Sequence, residues 1–127
     1  MKILIALSLF LFTIFASTIQ AATILDGNAL LKDLEITLRS GADAHGSQAD
    51  ALVAAHTRGW ISGLLQGINL GTQQGAKCSF RVPAGLPVEE VMRALVKFLS
   101  AHPDRLQQSP AKLANDALTA AYPKHGS

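Results

Sequence analysis

The sequence predicts an all-α protein: a small bundle of about four helices that follows a cleaved N-terminal signal peptide. Four segments carry apolar residues at the spacing that places them on one face of a helix. The longest segment contains glycines at every fourth position, and the N-terminal residues form an apolar stretch behind one lysine. Residues 34–39 alternate between apolar and polar side chains, as a β-strand with one buried face does. An isolated strand would, however, have no other strand in the chain to pair with.

The N-terminal segment has the order of a secretory signal. Lys2 precedes an apolar stretch over 3–19, and Ala21 suits the position before a signal peptidase cut. A retained membrane helix is the alternative, but four hydroxyl residues interrupt the stretch, which is barely long enough to span roughly 30 Å of hydrocarbon. We therefore predict a signal peptide over 1–21 and a single domain over 22–127 that works outside the cytoplasm, with no membrane association after cleavage.

Composition limits the partners of this domain. Eleven basic residues against nine acidic residues give the whole chain a formal charge of +2, and the basic residues are dispersed. Nucleic-acid binding usually requires a concentrated basic patch, so we predict no nucleic-acid partner. Cys78 is the single cysteine, which excludes a disulfide within the chain. It is either a buried apolar residue or an intermolecular bridge in a dimer.

The first two helices are predicted from their periodicity. The first spans 26–40, with Asp26 as its N-cap. The second spans about 48–74 and has apolar residues on most sides, as does a helix at the centre of a bundle. The residues of all four helices that we expect to face the core are Leu30, Leu31, Leu34, Leu38, Leu52, Trp60, Leu64, Leu65, Ile68, Val88, Val91, Met92, Leu95, Val96, Leu99, Leu113, Ala114, Ala117, Leu118 and Ala121.

Proline marks the starts of the two later helices. Pro87 begins the third helix and Pro110 begins the fourth, where Ser109 is the expected N-cap. The third helix ends at His102 because a residue before proline avoids the helical region, and the fourth stops before Pro123.

The second helix carries a row of glycines: Gly59, Gly63, Gly67 and Gly71. Each interior glycine costs about 0.8–1 kcal/mol relative to alanine, so the row costs roughly 3–4 kcal/mol. Such a row allows another helix to pack closely against the backbone. The second helix therefore has a close partner, which is either another helix of the same chain or a second copy of the protein.

No catalytic pattern is present in the sequence. It has no strand-to-helix nucleophile elbow, no paired-histidine metal motif and no phosphate-binding glycine loop. Asp43, His45, Asp50 and His56 match no metal-ligand spacing, and nothing in the sequence brings Cys78 to a histidine, as a thiol nucleophile requires. We therefore predict a protein that is not an enzyme and that holds no metal ion and no cofactor.

Four short stretches form a recognisable set when taken together. They are GWISG (59–63), FRVPAGL (80–86), VKFLSAHPDRL (96–106) and ALTAAYP (117–123). This set resembles the Rap/Tai-type immunity proteins, which guard bacteria against peptidoglycan amidase effectors delivered by type VI secretion. The resemblance implies a periplasmic, helical and commonly dimeric protein that binds a cell-wall hydrolase tightly and blocks its active cleft. One departure is that Arg81 and Lys124 stand where family members often carry paired cysteines.

Two functions follow from these observations. The first is an inhibitor that occludes a cell-wall amidase through exposed loops, since loops on a rigid scaffold are where recognition usually occurs. The contacts expected for this role are Gln73, Gln74, Lys77, Arg81, Asp104, Arg105, Gln107 and Gln108. We assign a structural role to Gly59, Trp60, Gly63, Gly67, Gly71, Pro83, Gly85, His102 and Pro103. The second function is a general envelope protein, a helical stress-chaperone-like protein without a toxin partner, which would expose apolar surface and bind clients broadly.

Overall fold

The computed structural model describes residues 23–41 and 46–124. The predicted signal peptide, Asp43 and His45 lie outside these ranges. The described residues form four α-helices and no β-strand, which confirms the all-α prediction. The helices are α1 (Gly27–Ser40), α2 (Gln48–Gln73), α3 (Val88–Ala101) and α4 (Pro110–Ala121), with a short 3-10 turn (Pro103–Arg105) between α3 and α4. None of these helices is long and apolar enough to cross a membrane.

Side-chain caps explain where three of the helices begin. The carboxylate of Asp26 accepts from Ala29 N at 2.9 Å, and the Ser47 and Ser109 hydroxyls accept in the same way from the N–H groups three residues on. Pro87 lies one position earlier than predicted, since it is the N-cap and α3 starts at Val88. No side chain caps α3, and its first turn carries two glutamates that interact favourably with the helix dipole.

The core lies mainly between α1, α3 and α4, and α2 contributes Ile61 to it. Helix α1 packs on both α2 and α3, and α3 packs on both α1 and α4. The fully buried apolar side chains of this core include Leu30, Leu34, Ile61, Val91, Met92, Leu95, Leu99, Leu113 and Leu118. The two central helices are therefore α1 and α3.

Helix α2 lies at the edge of the bundle, so the prediction that it is central is wrong. Its buried residues are Ala54, Thr57 and Ile61, and none lies beyond the middle of the helix. Leu52 was predicted to face the core, yet it is 68% exposed, and Leu70 near the end of the helix is 56% exposed. One side of α2 packs partly against the core through Leu64, Leu65 and Ile68, and another side of the helix is uncovered. Ala121 of α4 is also exposed, contrary to expectation.

The glycine row of α2 lies on the uncovered side. A Cβ added at Gly59, Gly63 or Gly67 would meet nothing within 4 Å, and at Gly71 it would make an ordinary contact with Ala76 at 3.7 Å. The prediction that another helix of the same chain packs into this row is therefore wrong for the part of the chain that the structure describes. The alternative, a second copy of the protein, stays a prediction.

Close approach occurs instead at Gly27, the first residue of α1. A Cβ there would lie 2.9 Å from the backbone oxygen of Leu106 and would also collide with the side chain of Leu113. The neighbouring Asn28 donates its side-chain N–H to the same Leu106 oxygen at 3.3 Å. The missing side chain of Gly27 therefore lets the start of α1 sit directly against the segment that joins α3 to α4.

Polar contacts hold the corner between α3 and α4. Arg105 pairs with Asp116, and its guanidinium lies 5.5 Å from the centre of the Phe98 ring. Lys112 Nζ lies 2.9 Å from the same carboxylate. The hydrogen bond from Arg105, with help from Lys112, holds the pKa of Asp116 below its ordinary value of 3.8. His102 Nδ1 lies 2.7 Å from the Phe98 carbonyl oxygen, so the histidine bonds a terminal carbonyl of α3.

Backbone pairing holds the long connection between α2 and α3 against the end of α4. Phe80 forms an antiparallel bridge with Pro123, Arg81 N donates to Tyr122 O at 3.0 Å, and Lys124 N donates to Ser79 O at 3.3 Å. Glycines in the left-handed region turn the chain before and after this pairing, with φ of 91° at Gly75 and 78° at Gly85.

Gly27→Ala should lower the free energy of unfolding by about 1–3 kcal/mol, because the backbone of Leu106 has to move to accept the new methyl group. Gly63→Ala is the matched control: its methyl group meets no atom, so it should raise the helix stability of the monomer by about 0.8–1 kcal/mol. Urea unfolding of the 22–127 domain at low protein concentration measures both. Equal stability of Gly27→Ala and the unsubstituted domain would contradict the close contact.

Asp116→Asn should reduce stability by up to about 1 kcal/mol at pH 7, since both partners of the carboxylate are partly exposed. A carboxylate with a lowered pKa stabilises the folded state above its unfolded-state pKa and loses that contribution as the pH falls through the folded-state value. The difference between Asp116→Asn and the unsubstituted domain should therefore shrink towards zero below pH 3.8. Urea unfolding from pH 7 to pH 2.5 measures it, and Asp104→Asn is the control, because Asp104 forms no ion pair with another described residue. A constant difference would exclude the ion pair as its cause.

Candidate functional site

The predicted contact residues fall into two groups. The first group lies at the end of α2 and in the connection after it: Gln73, Gln74, Lys77 and Arg81, all exposed. The second lies between α3 and α4: Asp104 and Gln107, which are exposed, and Arg105 and Gln108, which are half-buried. Arg81 N bonds to the residue just after α4, whereas Gln108 lies just before it. A helix of 12 residues is about 18 Å long, so the backbones of the two groups lie near opposite ends of α4.

Two residues of the second group, Arg105 and Gln108, already form contacts that stabilise the fold. The guanidinium of Arg105 pairs with Asp116 and also donates to Gln108 Oε1 at 3.1 Å. A partner protein would have to break these bonds to use Arg105. We therefore regard Arg105 and Gln108 as residues that hold the corner, which leaves Asp104 and Gln107 as the exposed members of the group.

A cleft with cationic walls lies beside the first group, and we call it the Arg81 cleft. Its volume is about 460 Å³. It is lined by Leu65, Ile68, Asn69 and Thr72 of α2, by Cys78, Phe80, Arg81, Val82 and Ala84 of the connection, and by Lys124. The lining contains two basic residues and no acidic residue, and most of the rest is apolar.

A second, wider depression runs along the uncovered side of α2, and we call it the glycine groove. It has a volume of about 850 Å³. Its walls are Gly63, Leu64, Gly67, Ile68, Gly71 and Thr72 of α2, Ala76, Lys77, Cys78 and Ser79 of the connection, and Asn115 of α4. Because three of the α2 residues lack a side chain, a partner can approach the helix backbone closely here.

Cys78 lies between the two depressions and lines both. It is half-buried, so it is neither a fully buried apolar residue nor a fully exposed thiol. Among the described residues no three His, Cys, Asp or Glu side chains come together as a metal site would require. The imagined pairing of Cys78 with a histidine also finds no support, since His102 packs on Phe98 with ring centroids 4.3 Å apart.

The aromatic residues assigned to packing are half-buried against the core, and they include Trp60 and Tyr122. Burial raises the pKa of Tyr122 above its ordinary value of 10.0, and the nearby carboxylate of Glu90 raises it further. The phenol therefore stays neutral at physiological pH. Tyr122 supports the backbone pairing with Arg81 and adds no charge to the Arg81 cleft.

Sequence reasoning did not include Lys124, Asn69 or Thr72 among the contact residues. Lys124 reaches the cleft only because Phe80 pairs with Pro123, and a contact over 43 positions leaves no periodic trace in a sequence. One signal was available: residues 51–88 contain basic residues but no acidic residue. Such a stretch indicates a surface that would suit an anionic partner.

A family model described as Rap1a immunity proteins matches residues 26–123. No curated protein and no solved structure matches the chain. The matched range begins at the N-cap of α1, contains all four helices and ends at the Phe80–Pro123 bridge. Proteins of this kind have an immunity function against a secreted effector toxin, which they bind, and they are generally not enzymes. The match covers well over half of the sequence, and the chain therefore belongs to the Rap1a immunity protein family.

Proposed function

We propose that this protein is a periplasmic immunity protein that binds a peptidoglycan amidase effector of type VI secretion and blocks its active site. The observation that carries the proposal is the family match over 26–123. The apolar N-terminal stretch supports export, which would place the protein where a cell-wall amidase acts. An inhibitor of this kind needs shape and complementary charge but no reactive group of its own.

The end of α2 and the connection after it are the proposed contact surface. Gln73, Gln74, Lys77 and Arg81 are exposed there, and none of their side chains takes part in an ion pair or side-chain hydrogen bond with another described residue. Arg81 sits on a segment that backbone pairing with Tyr122 holds in place. A pre-organised surface loses little conformational entropy on binding, which favours a tight inhibitor.

The 3-10 turn between α3 and α4 is a weaker candidate. Two of its four predicted contact residues, Arg105 and Gln108, bond to each other and one pairs with Asp116. A partner would therefore gain little from them unless the corner rearranged, and such a rearrangement would remove contacts that stabilise the fold. Asp104 and Gln107 can serve as peripheral contacts.

We also propose that two copies of the protein associate through the glycine groove. Residues 59–76 contain no ionisable side chain, and Lys77 is the one charged residue that lines the groove, so two copies of this face would meet with little repulsion between like charges. Leu70 is 56% exposed on the same helix. Close packing between two α2 helices would also offset the cost of glycine in the helix interior.

The second candidate function is that of a general envelope protein that binds unfolded clients. The exposed side chains of Leu25, Leu52 and Leu70 favour it, because a protein that holds unfolded clients uses uncovered apolar surface. The same residues also suit one specific interface. A client-binding protein would suppress the aggregation of several unrelated unfolded proteins, whereas an immunity protein would bind one folded partner.

Co-expression with a peptidoglycan amidase encoded beside this gene should restore growth of cells that the amidase otherwise lyses. The two purified proteins should elute together on gel filtration. Replacement of Gln73, Gln74 and Lys77 together by alanine should weaken binding at least tenfold in calorimetry, because each contact residue typically contributes about 0.5–1 kcal/mol. Asp104→Ala with Gln107→Ala should weaken it less, and Lys97→Ala on the exposed face of α3 is the control. Lack of rescue together with lack of a complex would defeat the amidase assignment.

Gly63→Leu should convert the proposed dimer into a monomer without unfolding it. A Cβ at position 63 has no neighbouring atom within 4 Å, so the monomer has room for a larger side chain. The leucine side chain would, however, fill the groove that a second copy needs. Light scattering after gel filtration gives the mass, and circular dichroism shows that the helices persist. Gly63→Ala is the control, since a methyl group blocks much less of the groove. The glycine groove is not the interface if Gly63→Leu stays dimeric, or if the unsubstituted protein is a monomer at every concentration.

A further inference from the structure

The two cations of the Arg81 cleft have no counter-ion in the described part of the chain. The ion pairs there use Arg58, Arg93, Arg105 and Lys112, and neither Arg81 nor Lys124 belongs to one. No acidic side chain lines the cleft. Two like charges on one small depression repel each other, and an anion bound between them would remove that repulsion.

The walls of the cleft are fixed in position by the fold. The Phe80–Pro123 bridge joins the two segments that carry Arg81 and Lys124, and Ser79 Oγ lies 2.9 Å from Thr119 Oγ1 beside it. The side-chain amide of Asn69 also lines the cleft, and no hydrogen bond between described residues uses it. The cleft therefore offers two cations and one free amide from a platform that is already ordered.

The floor of the cleft is apolar, which limits the anion that it suits. Leu65, Ile68, Phe80 and Val82 all contribute to the lining. A strongly hydrated inorganic ion gains nothing from such a surface, whereas a carboxylate beside apolar side chains fills both parts of the cleft. A volume of about 460 Å³ accommodates a few side chains of a loop but not a whole helix.

From this geometry we propose that the Arg81 cleft binds an acidic side chain of the effector, an aspartate or glutamate that lies next to an apolar residue on an exposed loop. The guanidinium of Arg81 offers two parallel N–H donors to the carboxylate, and Lys124 contributes a second positive charge. The adjacent apolar residue rests on Phe80 and Val82. This inference rests on the proposed function, because it names the chemistry by which the contact surface recognises its partner.

Arg81→Glu combined with Lys124→Glu should weaken binding to the purified amidase at least 100-fold in calorimetry and flatten the salt dependence of the affinity between 50 and 500 mM NaCl. Lys32→Glu combined with Lys97→Glu is the matched control. These lysines are exposed on α1 and α3, away from the cleft, and the change in net charge is the same, so affinity should change less than threefold. Replacement of the matching acidic residue of the amidase by lysine should restore binding to the Arg81→Glu, Lys124→Glu variant. Unchanged affinity of that variant would overturn the inference while the proposed function stands.

A second measurement tests the cleft without the amidase. The end-blocked peptide Leu-Glu-Leu should shift the NMR signals of Arg81, Lys124 and Asn69 at millimolar concentration, and the end-blocked peptide Leu-Gln-Leu should not. If the unsubstituted protein fails to bind the amidase, the proposed function fails, and the two peptides alone decide whether the cleft recognises a carboxylate. Equal shifts with both peptides, or none with either, would overturn the inference.

Discussion

The bundle depends on the contact that Gly27 makes with the segment between α3 and α4. The start of α1 lies so close to the backbone of Leu106 that a single methyl group would not fit. Through this contact the first helix closes onto the last, and Leu113 of α4 packs against the N-terminal turn of α1. The contact thus joins α1 to α4, and α2 adds Ile61 to the core that these helices share with α3. The glycine row and Leu70 lie on the uncovered side of α2, whereas Leu64, Leu65 and Ile68 pack partly against the core.

The second constraint is the short backbone pairing between Phe80 and Pro123. The resemblance to immunity proteins implies paired cysteines near these positions, yet Arg81 and Lys124 stand there instead. Two backbone hydrogen bonds, from Arg81 N and Lys124 N, hold the segments together. The replacement changes what the surface can do. A disulfide would present a compact apolar group, whereas this chain presents two cations on the rim of one cleft.

The sequence predicts the helices well because their signals are local. Asp26, Ser109 and Pro110 determine helix starts through bonds to residues only a few positions away. The position of α2 was predicted wrongly because apolar residues on most sides of a helix are compatible both with burial and with an uncovered face. The role of Gly27 could not be predicted for a related reason. A glycine at a helix start is common, and its importance follows only from its contact with Leu106, which lies 79 positions later in the sequence. Lys124 enters the candidate site through an equally distant pairing.

Stability and recognition are thus assigned to different parts of the chain. The glycine row costs roughly 3–4 kcal/mol, and no contact within the described residues recovers it, so the core of α1, α3 and α4 has to supply that stability. In α2 and the connection after it, Ile61 and Phe80 belong to the core, but the exposed residues of these segments can change with little effect on it. Arg81 and Lys124, which we propose as contacts for the effector, are exposed and lie outside the core.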